Sequence, residues 1–237
     1  KSSEYVKDGY KKVIISLEKL ASEIQMSNSN ETILKKTLVH ELFIYIISYY
    51  LKQSNNKALQ YILNRTYFIR SFDFNKNDSS FYAFYNKDSR NLDHAVCLKD
   101  GKKYYSGTAN LWMELINMNI CTKSEFVIGD WLSYNCSFLV SNYDTSWKWF
   151  PITYPYGLEE RPNLFRNYAL KLKALEHLKE VAYIMGFDSI KEFTEKYAEI
   201  EEKFANRELK EYRYNSSFDS AQSFWSSISS EELGTRN

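Results

Sequence analysis

At 237 residues the chain is long enough to bury a hydrophobic core and sits near the upper end of what one core supports, so one domain and two closely packed halves are both open. Apolar residues make up 44% and charged residues 26%, ordinary globular usage that excludes wholesale disorder. Lys+Arg 31 against Asp+Glu 30 leaves a formal net charge of +1, which excludes binding driven by a global basic excess of the kind phosphate neutralisation needs.

Tyr 20, Phe 15 and Trp 5 stand against only Gly 7 and Pro 3. Few obligatory turns favour long helices over the many short strands of a sandwich or barrel. In chain order, Val13, Ile14, Leu17, Leu20 and Ile24 recur at the spacing of one helical face and predict a first helix within 5–26. Ser27-Asn28-Ser29-Asn30 supplies a turn and a cap. Ile33, Leu34, Leu38, Leu42, Phe43, Ile46, Ile47, Tyr50 and Leu51 then predict a second helix, antiparallel to the first. A third covers 55–65 with Leu59, Ile62 and Leu63 inward.

Residues 71–107 show no helical period, and a small β-hairpin is expected over 94–105, turning at Asp100-Gly101. Helices resume at 108–119. Thr122 and Glu125 form a capping box that opens the next helix, through Leu139. After an interruption over 141–160, Pro162 precedes a helix ended by Gly186, and Asp188 is expected to cap the last long helix. The fold class is therefore mainly α, a multi-helix bundle of about seven helices. It is expected to form a single helical domain over 1–212, with halves 1–70 and 108–212 joined by 71–107. A Ser-rich tail, 213–237, is expected to be loosely held, anchored by Phe218, Phe224 and Trp225.

Cys97, Cys121 and Cys136 are odd in number and lack zinc-type spacing, which fits a reducing, cytoplasmic setting with neither disulfide framework nor metal. The polar start carries no signal peptide, and the apolar run 42–51 is too short to span a bilayer, so no membrane partner is expected. A start at Lys1 and not Met leads us to expect a piece of a longer protein.

Candidate chemistry is sparse. Phosphate-loop, dinucleotide, zinc-protease and nucleophile-elbow motifs are missing from the sequence, and no cofactor is implied. His40 and His177 sit in helical patterns beside Glu41 and Glu176; adjacent helix residues do not face each other, so neither pair makes a site. Lys99, Lys102 and Lys103 around Gly101 form the densest basic cluster, read first as a solvated turn. The aromatic segment with Trp147, Trp149, Phe150, Tyr154 and Tyr156, stiffened by Pro151 and Pro155, is the best binding candidate, weighed against core packing. With the lysine cluster it would make a single-stranded nucleic-acid binding module.

Arg90 and His94, with Asn91, Leu92 and Asp93 between them, resemble the ribonuclease motif of the bacterial HEPN family, where an Arg precedes a His on a helix. The spacing here is shorter than the family's. What the resemblance implies is a metal-independent ribonuclease using Arg90 and His94. The strings Leu63-Asn64-Arg65-Thr66-Tyr67-Phe68, Trp149-Phe150-Pro151-Ile152-Thr153-Tyr154 and Met185-Gly186-Phe187-Asp188-Ser189-Ile190-Lys191-Glu192-Phe193 resemble helical accessory regions of bacterial anti-phage defence proteins, over about 30–205. That resemblance implies a non-catalytic recognition or oligomerisation domain of a larger protein, with a protein partner or self-association and its effector elsewhere.

Overall fold

The computed structural model describes residues 9–24, 29–69, 80–86, 90–101, 106–140, 149–159, 163–209 and 221–236; within the helices, the side chains of 90, 91, 97, 100 and 140 lie outside the description. It is mainly helical, with no strand among the described residues, and no described helix is long and apolar enough to cross a membrane. The chain forms two compact units, Lys1–Phe126 and Val127–Asn237.

In the first unit, α1 (Gly9–Ser22) buries Tyr10, Ile14, Leu17 and Ala21, a stripe at three-and-four spacing. The second helix, α2 (Asn30–Lys52), is opened by Ser29, whose hydroxyl accepts the Thr32 N–H at 3.2 Å. α3 (Asn56–Asn64) is capped by Asn55 and turns Ala58, Leu59, Ile62 and Leu63 inward. Both oxygens of Glu18 hold the α3 exit against α1, one pairing with Arg65 at 2.8 Å and one accepting the Phe68 N–H at 2.7 Å. Phe81 and Phe84, on a 3-10 turn at Phe81–Phe84, stack on Phe43 of α2.

The expected β-hairpin over 94–105 is corrected by the structure. Arg90–Asp100 is a helix, α4, and Gly101 with φ +63° ends it. The Asp-Gly pair thus closes a helix and not a strand; Lys102 to Tyr105 lie outside the described residues. What holds α4 is tertiary. It packs on α5 (Gly107–Leu115), where the Asp93 carboxylate accepts from the Ser106 hydroxyl at 2.9 Å and the Thr108 N–H at 2.7 Å. Trp112 of α5 meets His40 of α2 edge-on, so 90–115 belongs with the first unit and the division differs from the expected halves 1–70 and 108–212.

The capping box appears as read: Glu125 N–H donates to the Thr122 hydroxyl at 3.2 Å and Thr122 N–H to the Glu125 carboxylate at 2.7 Å, opening α6 (Lys123–Val140). Within the second unit α6 is buried along 127–138, including Asp130, Ser133, Asn135 and Ser137. Around it come α7 (Tyr154–Glu159), α8 (Leu164–Leu170), α9 (Leu175–Ile184) and α10 (Ile190–Ala205). Gly186, at φ +87°, ends α9 as expected. The cap of α10 is Ser189, whose hydroxyl accepts the Glu192 N–H at 3.1 Å, in place of the expected Asp188.

The tail also departs from expectation. Residues 221–236 pack into the second unit, with Ala221, Ser223, Phe224 and Trp225 all at 0% exposure. Two of the expected anchors, Phe224 and Trp225, carry this packing; Phe218 lies outside the described residues.

Candidate functional site

The aromatic segment is interior. Trp149, Phe150 and Tyr154 are buried, Tyr156 is half-buried, and Trp147 lies outside the described residues. The Trp149 indole N–H donates to one oxygen of Asp130 at 2.7 Å, and Thr153 donates to the other through its N–H at 3.0 Å and its hydroxyl at 2.8 Å. Tyr154 stacks on Phe165 with centroids 4.4 Å apart. The faces of Trp149 and Tyr154 are spent on the core and the anchoring carboxylate, so they offer no platform for a base or peptide. Burial pushes the Asp130 carboxyl up to about 6 despite those three donors, which pull the other way.

Lys99 is exposed in the last turn of α4, and Lys102 and Lys103 lie outside the described residues. Arg90 and His94 stand one turn apart on α4, with His94 exposed and the Arg90 side chain outside the description. His40 is fully buried between the rings of Tyr85 and Trp112, and burial holds it down to about 3, so it is neutral at physiological pH. His177 sits 3.5 Å from Glu180, and burial lowers it as well. Cys121 and Cys136 are free and buried; burial raises both thiols, Cys121 to about 11, the opposite of what a nucleophile needs. Among the described residues no group of His, Cys, Asp and Glu is placed to hold a metal ion.

What the structure does assemble is an apolar groove in the first unit, enclosing ≈ 390 Å³. α1 supplies Val13, Leu17 and Leu20, α2 supplies Leu42, Ile46 and Tyr49, and Ile120 joins them from the loop before α6. Val13, Leu20 and Tyr49 are 44%, 40% and 40% exposed, large apolar surface facing water. Tyr45 also lines it, accepting the Asn117 N–H at 3.2 Å and meeting Phe126 edge-on. One turn before Tyr45, burial pushes Glu41 up to about 7.

Sequence reasoning placed Val13, Leu20, Leu34 and Leu38 inward; all are exposed. The signal was the width of the pattern, because α1 and α2 carry more apolar residues than one stripe can bury. No protein family, curated protein or solved structure matches the chain.

Proposed function

We propose that the chain is a non-catalytic protein-recognition or oligomerisation domain that seats the apolar face of a helix in the groove between α1 and α2. The groove itself carries the reading: it is contiguous, apolar and open to water, whereas among the described residues the buried His40 is held neutral and the buried Asp130 is taken up by three donors. Exposed apolar area costs roughly 25 cal/mol per Å², and a patch of this kind is the usual mark of a docking surface. From Val13 to Leu20 is two turns, about 10 Å at 1.5 Å per residue, the reach of helix anchors at i, i+3/i+4 and i+7. In the defence-protein setting that the sequence resembles, the role is sensing or assembly beside an effector.

Selection of displayed amphipathic helices against the protein tests this. Binders with that anchor pattern should emerge and lose affinity for Leu20→Asp, an exposed position where the fold is retained. Sedimentation of the free protein reports whether its own helices compete for the groove. Failure to enrich such helices, or binders indifferent to Leu20→Asp, removes the proposal.

A second reading has one observation in its favour: Arg90 and His94 lie on a helix, one turn apart, with His94 in solvent. A metal-independent ribonuclease would use the pair. Incubation with mixed RNA decides it, since cleavage must appear and must vanish in His94→Ala.

A further inference from the structure

Residues 221–236 are held in the second unit by hydrogen bonds that other elements make to their backbone. Their own regular structure amounts to two 3-10 turns, Phe224–Ser226 and Ser230–Glu232. What fixes them is a set of side chains on other elements that bind their backbone. On α6, the Trp131 indole N–H donates to the Gln222 carbonyl at 2.7 Å, the Tyr134 hydroxyl to the Ala221 carbonyl at 2.9 Å, and the Asn135 side-chain oxygen accepts the Phe224 N–H at 2.8 Å. The Tyr154 hydroxyl accepts the Gln222 N–H at 3.0 Å. On α10, the Tyr197 hydroxyl lies within hydrogen-bond reach of the Phe224 and Ile228 carbonyls, its one proton shared between them, and Glu201 accepts the Ser230 N–H at 3.1 Å.

Farther along, the segment pairs backbone to backbone. Gly234 N–H donates to Leu172 O at 3.0 Å, Arg236 N–H to Lys173 O at 2.8 Å, and Leu175 N–H to Arg236 O at 3.0 Å. A parallel bridge between Ala174 and Arg236 results. Main-chain hydrogen bonds for affinity and a few buried side chains for specificity are how proteins take up short extended peptides. Here the largest buried side chains are Phe224 and Trp225, both at 0% exposure, with Ile228 and Leu233 buried farther along.

We infer that residues 221–236 are a peptide ligand seated in a groove of the second unit, and that this groove accepts the same segment from a second copy of the chain. The occupant is set by the fit. Gly234 has φ +63°, and a Cβ there would press on Leu178 at 3.0 Å, so glycine is demanded ten residues after Phe224 in a spacing this chain itself carries. The connecting stretch 210–220 has a contour length of roughly 40 Å, enough to deliver the segment to a neighbour. Reciprocal exchange through such a connection yields a two-fold dimer, and the tether's high effective concentration favours the closed single chain in dilute solution.

Two measurements on the full chain test the inference, and both are independent of the α1/α2 groove. Hydrogen exchange of the unmodified protein should show the amides of 224, 230, 234 and 236 opening at least ~10-fold faster than those of α6 and α10, as for a unit that leaves before global unfolding. Equal protection makes the segment part of the core and overturns the inference. In the second, Phe224→Ala/Trp225→Ala, with a defective segment, is mixed with Asn135→Ala/Tyr197→Ala, with a defective groove. A heterodimer should form that neither variant forms alone, and thermal stability should rise above that of both. A mixture that behaves as the sum of its parts overturns exchange.

Discussion

The indole N–H of Trp149 donates to the fully buried carboxylate of Asp130 at 2.7 Å, tying the start of the 149–159 segment to the middle of α6. Thr153 occupies the other oxygen twice, so the carboxylate is the hub of three donors. Asp130→Ala strands all three in the interior, and we expect a loss of about 3–5 kcal/mol. Asp130→Asn costs less, because its oxygen can face Thr153 while its amide group meets the Trp149 N–H donor to donor. Urea unfolding followed by tryptophan fluorescence ranks the two; equal stability of Asp130→Ala and the unaltered chain would sink the assignment.

The same group sets a pH dependence. Its pKa rises from 3.8 unfolded to about 6 folded, so the native state holds the proton more tightly. This contribution is fully present below pH 3.8 and is lost as pH rises through about 6, on the order of 3 kcal/mol in all. Measured from pH 4 to pH 7, the stability gap between the unaltered chain and Asp130→Asn should narrow as pH rises.

His40 gives the opposite slope in the first unit. Its pKa falls from 6.5 unfolded to about 3 folded, so below pH 6.5 the unfolded chain takes up a proton that the native imidazole refuses. Stability is lost as pH falls through that window, with a limiting slope of about 1.4 kcal/mol per pH unit. In His40→Phe, which keeps a ring between Tyr85 and Trp112, this acid limb should disappear in unfolding titrations at pH 4 to 7.

Two glycines, one at the end of α4 and one at the start of α5, should respond unequally to alanine. A Cβ at Gly107 would lie 2.7 Å from the Asp93 carbonyl oxygen and 2.8 Å from the Val96 Cβ, backbone-level overlap that we expect to cost about 2 kcal/mol or more. At Gly101 the surroundings are open and only the φ of +63° resists, for about 1 kcal/mol. Thermal melts of both variants check the order, and the reverse ranking would argue against the helical pairing at 90–115.

Much of this architecture was written in local signals. Ser29, the Thr122/Glu125 box and Gly186 each announce a helix end by their own chemistry, and the stripes of α1, α3 and α10 announce the buried faces. The α4 helix was not legible, because Asp100-Gly101 suits a strand turn as well as a helix end, and the deciding bonds run from Asp93 to Ser106 and Thr108. Serine content hid the packing of 221–236, which depends on Trp131, Tyr134, Asn135 and Tyr197 far away in sequence. For the groove, a stripe tells which residues are apolar but not where the stripe outruns its partner, so Val13 and Leu20 looked like core.

The burial of α6 along 127–138 has a consequence for how that helix is placed. A rod that is buried all round has no wet side to declare its orientation, so exposure alone does not fix which of its residues faces which neighbour. Asp130, Trp131, Tyr134 and Asn135 act as keyed teeth: each engages fixed partners on another segment, and a slip would disengage them together. Swaps among apolar shapes at Leu132 or Phe138 therefore alter how tightly the rod fits, whereas a change at any tooth alters which way it faces.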